Sequence, residues 1–307
     1  MLKYIFKRLF SSIVTIWVVI TATFFLMHAM PGGPFDSDKK LPESVKANLE
    51  EKFGLNKSLG EQYTTYLKNV TLHGDLGPSM KYEGRTVNEV ISYSFPASAK
   101  LGLCSIAFAV ILGIFMGLIA ALNQGKWQDN LCMFISTLGV TIPSFVMATI
   151  FIYFFAVKLG WLPAVGFDGP KYYILPAIAL GGYSTAFIAR LSRSSLLEVI
   201  RQDYIKVAKA KGLSKGKIIY KHTLKNSLIP IVTYLGPIFA SVLTGSFVIE
   251  TLFGIPGLGR EFVQSIGNRD YTTTLGVTIF YSTFLILCNL IVDLLYVAID
   301  PRIKIDA

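Results

Sequence analysis

The chain has 307 residues, of which 52% are hydrophobic and 16% charged, and its formal net charge at pH 7 is +10. Soluble globular domains carry roughly 25% charged residues, so this composition disfavours an ordinary soluble enzyme and favours a lipid environment. The three cysteines all fall inside apolar stretches and share no pairing or metal-ligand spacing, which indicates neither a disulfide framework nor a metal site.

Six stretches of 18 or more residues contain no Asp, Glu, Lys or Arg. A helix needs about 20 apolar residues to cross a hydrocarbon core ~30 Å thick. In chain order the stretches are 11–30, 101–122, 131–157, 172–189, 226–249 and 271–292. We therefore predict an all-α polytopic membrane protein with six transmembrane helices. The first stretch is long for a signal-peptide core and lacks a small-residue cleavage site after it, which favours an uncleaved span.

Residues 1–30 are expected to form the N-terminus and first span, 31–98 an outer helical subdomain, and 99–307 the remaining five spans. Within the subdomain, a proline near the start and a glycine after the end predict a helix over 41–53. Apolar residues from Leu59 to Val70 recur at helical spacing and predict a second helix. Thr86 and Glu89 fit a capping box for a third helix, which we expect to end near Tyr93.

The charged residues predict the orientation. The first ten residues hold three cations and no acid, and residues 190–225 hold ten Lys or Arg against two acids. Residues 31–98, by contrast, carry eight cations and nine acids. Because short cytoplasmic segments keep an excess of Lys and Arg, the N-terminus and the 190–227 loop are expected in the cytoplasm. Six spans then return the C-terminus to the same side.

No catalytic or nucleotide-binding constellation is present in the sequence. It contains no G-x-x-x-x-G-K-[ST], HExxH or GxSxG motif, so the chain is expected not to bind ATP by a P-loop itself. Asp293 is the one acid embedded near a predicted span, and it lies toward the expected cytoplasmic end of the sixth span, so no ionisable group is predicted near the membrane midplane. Ion-coupled carriers need buried ionisable groups, so an ion-coupled secondary transporter is the disfavoured alternative. We expect no catalytic residue, bound cofactor or metal.

The basic loop is expected to be a rigid structure. Residues 194–211 lack proline and glycine and carry apolar residues at helical spacing, which predicts one amphipathic helix of about five turns. Gly212 is placed to end it and Ser214 to cap a second helix over 215–228. Two alternatives stay open: the lysines only mark the cytoplasmic side, or the loop binds nucleic acid. The second is disfavoured because only Tyr204 and Tyr220 could stack on bases.

Several motifs resemble one known family along most of the chain. They are KRLF (7–10), PGGPF (31–35), GDLGPS (74–79), AKAKGLS (208–214), ETLFGIPGLGREFVQSIGNRDY (250–271) and DPR (300–302). Together they are similar to the ABC importer permeases of the peptide/nickel branch, and most similar to the first of the two permeases of oligopeptide and dipeptide importers. The loop lacks the leading glutamate of the general E-A-A-x-x-x-G pattern but fits the form typical of this branch.

The resemblance implies a type I importer permease in the bacterial cytoplasmic membrane, a non-catalytic subunit that forms half of a peptide translocation path by alternating access. The implied partners are a second homologous permease, two cytoplasmic ATPases that use ATP and Mg²⁺, an extracytoplasmic peptide-binding protein, the peptide and membrane lipid, but no nucleic acid. Nickel chelates, haem or glutathione are the alternative substrates within the family.

Two sets of site residues follow from the same resemblance. The coupling residues, which would dock into an ATPase cleft, are Lys206, Ala208, Ala210, Gly212, Leu213 and Ser214. The residues of a re-entrant outer gate loop are Glu250, Phe253, Pro256, Gly257 and Gly259.

Overall fold

The described part of the chain is built from α-helices and the segments that connect them. The computed structural model describes the backbone of residues 2–36, 42–243 and 245–299, and the side chains of 6–36, 42–239, 241–243 and 245–291. The helices are α1 (Leu2–Ala29), α2 (Glu43–Lys52), α3 (Leu59–His73), α4 (Val87–Leu122), α5 (Trp127–Thr141), α6 (Ser144–Lys158), α7 (Lys171–Ile200), α8 (Asp203–Ala210), α9 (Lys215–Ser227), α10 (Ile229–Leu243), α11 (Phe247–Leu252), α12 (Leu258–Gly267) and α13 (Tyr271–Ile299). These residues contain no β-strand, only an isolated bridge between Pro78 and Thr86. The DPR motif and the side chain of Asp293 lie outside the described part of the chain.

Among the residues that the structure describes, four helices are long and apolar enough to cross a membrane, namely α1, α4, α7 and α13. Within the described residues the number rises to six if each bent helix pair counts as one span: α5 with α6, bent by 109°, and α9 with α10, bent by 47°. The predicted all-α membrane architecture is confirmed. The third predicted span is not a straight helix, because Pro143 disfavours helical geometry at the residue before it and Ile142 is extended, with φ −84° and ψ 123°.

The two helices predicted before the Thr86 capping box both form: α2 lies inside its predicted range and α3 covers the predicted apolar face from Leu59 to Val70. Helix α3 begins at the Ser58 capping box, in which Ser58 and Glu61 bond each other's backbone N–H, and it ends at Gly74 in the left-handed region. Helix α2 begins at Glu43 and ends at Lys52, inside the predicted 41–53 range; residue 41 is outside the described residues. Lys46 donates to Asp36 and holds the pKa of that carboxyl below its usual value, although an exposed pair adds little stability.

The predicted capping box at Thr86 is confirmed: Thr86 N–H donates to Glu89 Oε2 (2.9 Å) and Glu89 N–H to Thr86 Oγ1 (3.2 Å). The predicted end near Tyr93 is wrong, since α4 continues without interruption to Leu122 with Pro96 inside it. An established helix extends at little cost per residue, and membrane helices tolerate the carbonyl that a proline leaves unbonded. The capping box therefore begins a membrane span.

The predicted single helix over 194–211 is also wrong. The membrane helix α7 runs on to Ile200, a turn follows at Arg201 and Gln202, and α8 begins at Asp203. Gln202 is extended, with φ −66° and ψ 148°, and Asp203 places a negative charge in the first turn of α8, where the helix dipole favours it. Neither glycine nor proline marks this break.

The described residues form two compact units, one of 2–97 and 256–290 and the other of 98–255 and 291–299. The first unit has a buried apolar core of Val87, Ile91, Leu258 and Val277. The second has a core of Ile106, Ala109, Ile188, Ile231, Ile238 and Val242. Each unit thus draws its core from several distant segments of the chain.

Glycines allow α4 and α7 to pack closely within the second unit. A Cβ added at Gly113 would lie 2.8 Å from the Cβ of Ile188, and one at Gly117 would lie 2.4 Å from the Cβ of Ser192. Real side chains do not approach so closely, so only glycine fits at these positions. Small residues thus let the two helices approach closely, as is common between helices in membranes.

Candidate functional site

The basic loop turns a tight corner between α8 and α9. Helix α8 ends in a Schellman motif: Gly212 N–H donates to Lys209 C=O (3.0 Å) and Leu213 N–H to Ala208 C=O (3.3 Å). Gly212 has φ +73°, a conformation that glycine adopts without steric cost. Ser214 Oγ accepts from Lys217 N–H (3.4 Å) and caps α9. The predicted glycine stop and serine cap are both confirmed.

A small apolar core holds this corner. It consists of Ile205, Ala208 and Ile218, with Leu213 packed against it. The amide of Asn226 also donates to the hydroxyl of Tyr204 (2.9 Å), which joins α8 to α9. Among the predicted coupling residues, Ala208 therefore faces the interior of the loop and Leu213 is half-buried.

The remaining predicted coupling residues are on the surface. Lys206, Ala210, Gly212 and Ser214 are all exposed. The same loop exposes three larger apolar or aromatic side chains, Tyr204, Val207 and Tyr220, which are 42%, 53% and 79% exposed. The corner thus combines small residues and exposed apolar groups on a fixed scaffold, the features of a protein-docking surface.

The first part of the predicted gate loop is held in place by buried residues, namely Glu250, Phe253 and Ile255. Helix α11 ends in a second Schellman motif at Gly254 (φ +65°), with Ile255 N–H donating to Glu250 C=O (2.8 Å). The side chain of Phe253 is buried, and its carbonyl accepts from Gly166 N–H (2.9 Å). A Cβ at Gly254 would lie 2.5 Å from Val165 Cγ1, so the 165–166 segment packs directly on this turn.

Glu250 is fully buried, and its Oε1 accepts from the Ser98 hydroxyl (2.7 Å). A Cβ at Gly245, where φ is +86°, would lie 2.3 Å from that same oxygen. The glycine therefore makes room for the carboxylate. An ionisable group is retained in a protein interior only when it is hydrogen-bonded, and Glu250 meets that condition beside the turn.

The second part of the loop begins α12. Gly257 is extended and precedes the helix, and Pro256 is half-buried. Leu258 and Gly259 are buried at its start, and Leu258 joins the core of the first unit. Tyr82 donates to Glu261 Oε2 (3.2 Å), and burial together with that carboxylate raises the pKa of the tyrosine. The predicted gate residues thus lie in the last turns of α11 (Glu250) and at its C-cap (Phe253), in the link before α12 (Pro256 and Gly257), and in the first turn of α12 (Gly259).

Sequence reasoning missed a hydrogen-bond network around Asp270, which is 1% exposed. The Asp270 network comprises donors to its carboxylate from Ser79 Oγ (2.5 Å), Met80 N–H (3.1 Å), Thr272 Oγ1 (3.0 Å), Thr273 N–H (3.1 Å) and Thr273 Oγ1 (2.8 Å). The bond from Thr273 N–H caps the start of α13. The GDLGPS motif is thereby fastened to the NRDY segment before α13.

A third motif meets the same segment. Arg269 has a left-handed backbone, with φ 56°, which is uncommon for a residue other than glycine. Its side chain fills the space beside Gly32, where a Cβ would lie 2.2 Å from Arg269 Nη1. Tyr271 donates to the Gly32 carbonyl (3.2 Å). The segment before α13 therefore contacts two motifs that lie about 190 and 240 residues earlier in the chain. Hydrophobic periodicity describes only near neighbours in sequence, so it could not predict these contacts.

The sequence matches two family descriptions. Residues 1–101 match the N-terminal region of binding-protein-dependent transport system membrane components, and residues 113–305 match the binding-protein-dependent transport system inner membrane component. Together the two segments cover nearly the whole chain.

Several curated proteins are similar along their full length. The chain is 49% identical to the oligopeptide transport system permease protein OppB of Haemophilus influenzae, over 99% of this chain and 100% of that protein. It is 47% identical to the dipeptide transport system permease protein DppB of Bacillus subtilis, over 99% of each. OppB of Salmonella typhimurium is 46% identical over 99% of this chain and 100% of that protein.

Solved structures share the fold at low sequence identity. An inward-facing structure of the MetNI methionine ABC transporter superposes with a TM-score of 0.57 at 19% identity, over 69% of this chain and 97% of that one. A crystal structure of an amino acid ABC transporter gives a TM-score of 0.54 at 17% identity, over 68% and 93%. Sequence and fold together show that the chain belongs to the binding-protein-dependent transport system inner membrane components, the multi-pass permease subunits of ABC importers.

Proposed function

We propose that this permease imports short peptides, oligopeptides or dipeptides, as one half of an ATP-driven translocation path. The observation that carries the proposal is the identity of 46–49% along essentially the whole chain to permeases of oligopeptide and dipeptide transport systems. Similarity at this level over full length extends to the path-forming helices as well as the docking loops. No described feature favours nickel chelates, haem or glutathione over peptides.

The complete transporter would contain a second, homologous permease, two cytoplasmic ATPases and an extracytoplasmic peptide-binding protein. A chain of up to six spans would supply half of the path. The permease would be non-catalytic and would bind no cofactor itself, while ATP and Mg²⁺ would act in the ATPase subunits. The N-terminus, the coupling loop and the C-terminus would face the cytoplasm of a bacterial cell.

The corner between α8 and α9 would dock in a cleft of an ATPase. Lys206, Ala210, Gly212 and Ser214 are exposed and would make the contact, whereas Ala208 and Leu213 would hold the corner from inside. The surrounding lysines would mainly accelerate association, because charges at the rim of an interface steer encounter more than they add affinity.

The outer gate would consist of a fixed root and a tip. Glu250 and Phe253 are buried and would anchor the root, and Pro256, Gly257 and Gly259 would form the tip. A re-entrant backbone at membrane depth is tolerated where protein buries it or where it lines a cavity, and a translocation path would supply both conditions. ATP binding would bias the path between outward-open and inward-open states through differential contacts at the coupling loop.

Reconstituted transport tests the proposal. The complete transporter is placed in proteoliposomes with ATP inside and with the binding protein and a labelled tripeptide outside. We expect uptake that requires internal ATP, persists in the presence of a protonophore, and is reduced by unlabelled peptide but not by glutathione, haem or a nickel chelate.

Two results would contradict it. Uptake that continues without ATP and stops with the protonophore would indicate an ion-coupled carrier. Competition by a non-peptide compound alone would reassign the substrate while leaving the importer architecture in place. Liposomes prepared without this chain serve as the control for leakage.

A further inference from the structure

The three arginines of the 190–225 segment behave differently from its seven lysines. All seven lysines are exposed. Each arginine instead donates hydrogen bonds to α5 or to the turn before it. We name these contacts the arginine ladder. They run from Arg190 Nη2 to Thr137 Oγ1 (3.1 Å), from Arg193 Nε and Nη2 to the two carboxylate oxygens of Asp129 (2.6 and 2.7 Å), and from Arg201 Nη2 to Gln124 Oε1 (3.4 Å). The cationic character of the segment therefore has two separate components.

The central contact is the strongest of the three. Asp129 is 3% exposed and also accepts from Gly125 N–H at Oδ2 (3.0 Å). Arg193 meets it with two parallel N–H groups, a geometry that the guanidinium fork provides and a lysine does not. A carboxylate in this position would be left buried without a charge partner if Arg193 were removed, which is unfavourable.

Apolar contacts continue the ladder along the same two helices. Cys132 of α5 lies in a buried cluster with Ala189 of α7. A Cβ at Gly139 would lie 3.1 Å from the Cβ of Ala186. Helix α5 is thus fixed to α7 from its first turn almost to its end.

The two ends of this helix pair differ. At one end α7 leads into the coupling loop through only the Arg201–Gln202 turn. At the other end α5 stops at the extended Ile142, and α6 leaves at 109°. The pair is therefore stiff along its length and is bordered by a break in the helix before Pro143.

We propose that the arginine ladder joins α5 to α7 and the coupling loop as one rigid body, so that movement imposed on the loop by an ATPase displaces α5 and is absorbed at the Ile142–Pro143 break. Arg193 and Asp129 are positioning residues in this scheme: they transmit motion and touch neither peptide nor ATP. The inference rests on the proposed function, since it needs an ATPase to move the loop.

The first test measures coupling in proteoliposomes that contain the complete transporter. We compare Arg193→Lys, Arg193→Gln, Asp129→Asn and the charge swap R193D/D129R with wild type, and use Lys221→Gln, an exposed lysine of the same loop, as the matched control. Each of the three single variants at the ion pair is expected to lower the number of peptides imported per ATP hydrolysed by roughly three- to tenfold, with partial recovery in the swap. Lys221→Gln should leave the ratio unchanged.

A purely structural role predicts a different pattern. Uptake and ATP hydrolysis would then fall together, in proportion to the amount of folded transporter, and the ratio would stay constant. That outcome, or an unchanged ratio in a fully folded Arg193→Gln transporter, would overturn the proposal.

A second test does not depend on removing the ion pair. In a chain whose cysteines at 104, 132 and 288 are replaced by alanine, we introduce Gly139→Cys with Ala186→Cys, whose Cβ separation of 3.1 Å needs only a small shift to reach the about 3.5–4.5 Å of a disulfide. Helices that move as one body tolerate the bond, so oxidised transporter should retain at least about half of its uptake. Loss of uptake on oxidation, restored by a reductant and not seen in either single-cysteine variant, would show that the helices must separate or slide.

The two levels of inference can be told apart. If wild-type transporter shows no ATP-dependent peptide uptake, the proposed function fails. If wild type transports peptide and the ion-pair variants match it, only the ladder fails.

Discussion

Gly212 and Gly216 stand in the same exposed loop, yet their backbones differ. Gly212 has φ +73°, whereas Gly216 lies inside α9, and a Cβ at either position would meet no atom within 4 Å. A side chain added at either glycine therefore meets no steric clash, and only the one added at Gly212 strains the backbone. A left-handed backbone costs a residue with a Cβ about 1–2 kcal/mol, and more where the side chain is β-branched.

We predict that Gly212→Val abolishes ATP-dependent peptide uptake while the permease still inserts in the membrane, and that Gly212→Ala reduces uptake less. Gly216→Ala should transport normally, because alanine is favoured over glycine inside a helix by about 1 kcal/mol. Uptake per inserted permease, quantified by immunoblot of washed membranes, is the measurement. Normal transport by Gly212→Val would contradict the role of the corner.

Asp270 provides a second residue-scale prediction. Its carboxylate accepts five hydrogen bonds from Ser79, Met80, Thr272 and Thr273, and Asp270→Ala leaves those donors without their acceptor. Loss of a buried charged acceptor is expected to cost about 3 kcal/mol. At roughly 2–4 °C per kcal/mol, the apparent melting temperature in detergent should fall by about 6 °C or more.

Asp75→Asn is the matched control for Asp270→Ala. Asp75 is exposed and accepts from Gly77 N–H (2.9 Å) within its own turn, and asparagine can accept the same bond. The control should melt close to wild type. Equal losses in the two variants would mean that the Asp270 network does not stabilise the segments that it joins.

At this scale the sequence predicts local features and misses distant ones. Gly212 and Ser214 could be assigned because helix caps depend on a few adjacent residues. The burial of Ala208 could not, since it depends on Ile218 in the following helix. Asp129 and Arg193 are 64 residues apart, and no periodicity relates them.

Helix-scale packing depends on which glycine faces a neighbour. Gly181 and Gly182 are adjacent in α7, but a Cβ at Gly181 would lie 2.8 Å from the Ser105 carbonyl oxygen of α4, and one at Gly182 would meet nothing within 4 Å. A backbone oxygen cannot move aside as a flexible side chain can. The two alanine substitutions are therefore chemically identical and differ only in this contact.

We predict that Gly181→Ala destabilises the permease by about 1–3 kcal/mol, the usual cost of overpacking, and that Gly182→Ala does not destabilise it. Melting of the two variants in the same detergent, followed by size-exclusion chromatography after heating, measures the difference. If Gly181→Ala melts at the wild-type temperature, α4 and α7 are not held at the distance described.

Some element boundaries were predicted from a cap, and others were missed where long-range packing decides them. The start of α4 at the Thr86 capping box was predicted. The capping box at Ser58 and the terminal Gly74 of α3 were not, because that helix was predicted only from the spacing of its apolar residues. No glycine or proline marks the break at Arg201–Gln202. Conversely, Pro96 would be expected to interrupt a helix, yet α4 continues through it. In lipid, a backbone N–H or C=O without a hydrogen bond is costly, and this favours long, uninterrupted helices. The helix propensities of individual residues do not include this effect.

For the whole molecule, the composition sufficed to predict a polytopic helical protein because the membrane imposes one requirement on every span. The division of the described residues into two compact units could not be predicted in the same way. The first unit joins segments far apart in the chain, such as Val87 with Val277. Such pairings arise from tertiary contacts, which hydropathy does not encode.

The asymmetry of charge predicts the orientation of the whole chain, and cysteine labelling tests it. In right-side-out membrane vesicles of a cysteine-free variant, a membrane-impermeant maleimide should label Lys68→Cys of α3 at once, and Lys215→Cys of the coupling loop only after the vesicles are permeabilised. Both lysines are exposed, so a difference in labelling reports the side of the membrane and not burial within the protein. The excess of Lys and Arg retained on the cytoplasmic side is the physical reason for the expected order. Labelling of Lys215→Cys in sealed vesicles, with Lys68→Cys protected, would reverse the orientation and place the proposed ATPase-docking corner on the wrong side for ATP.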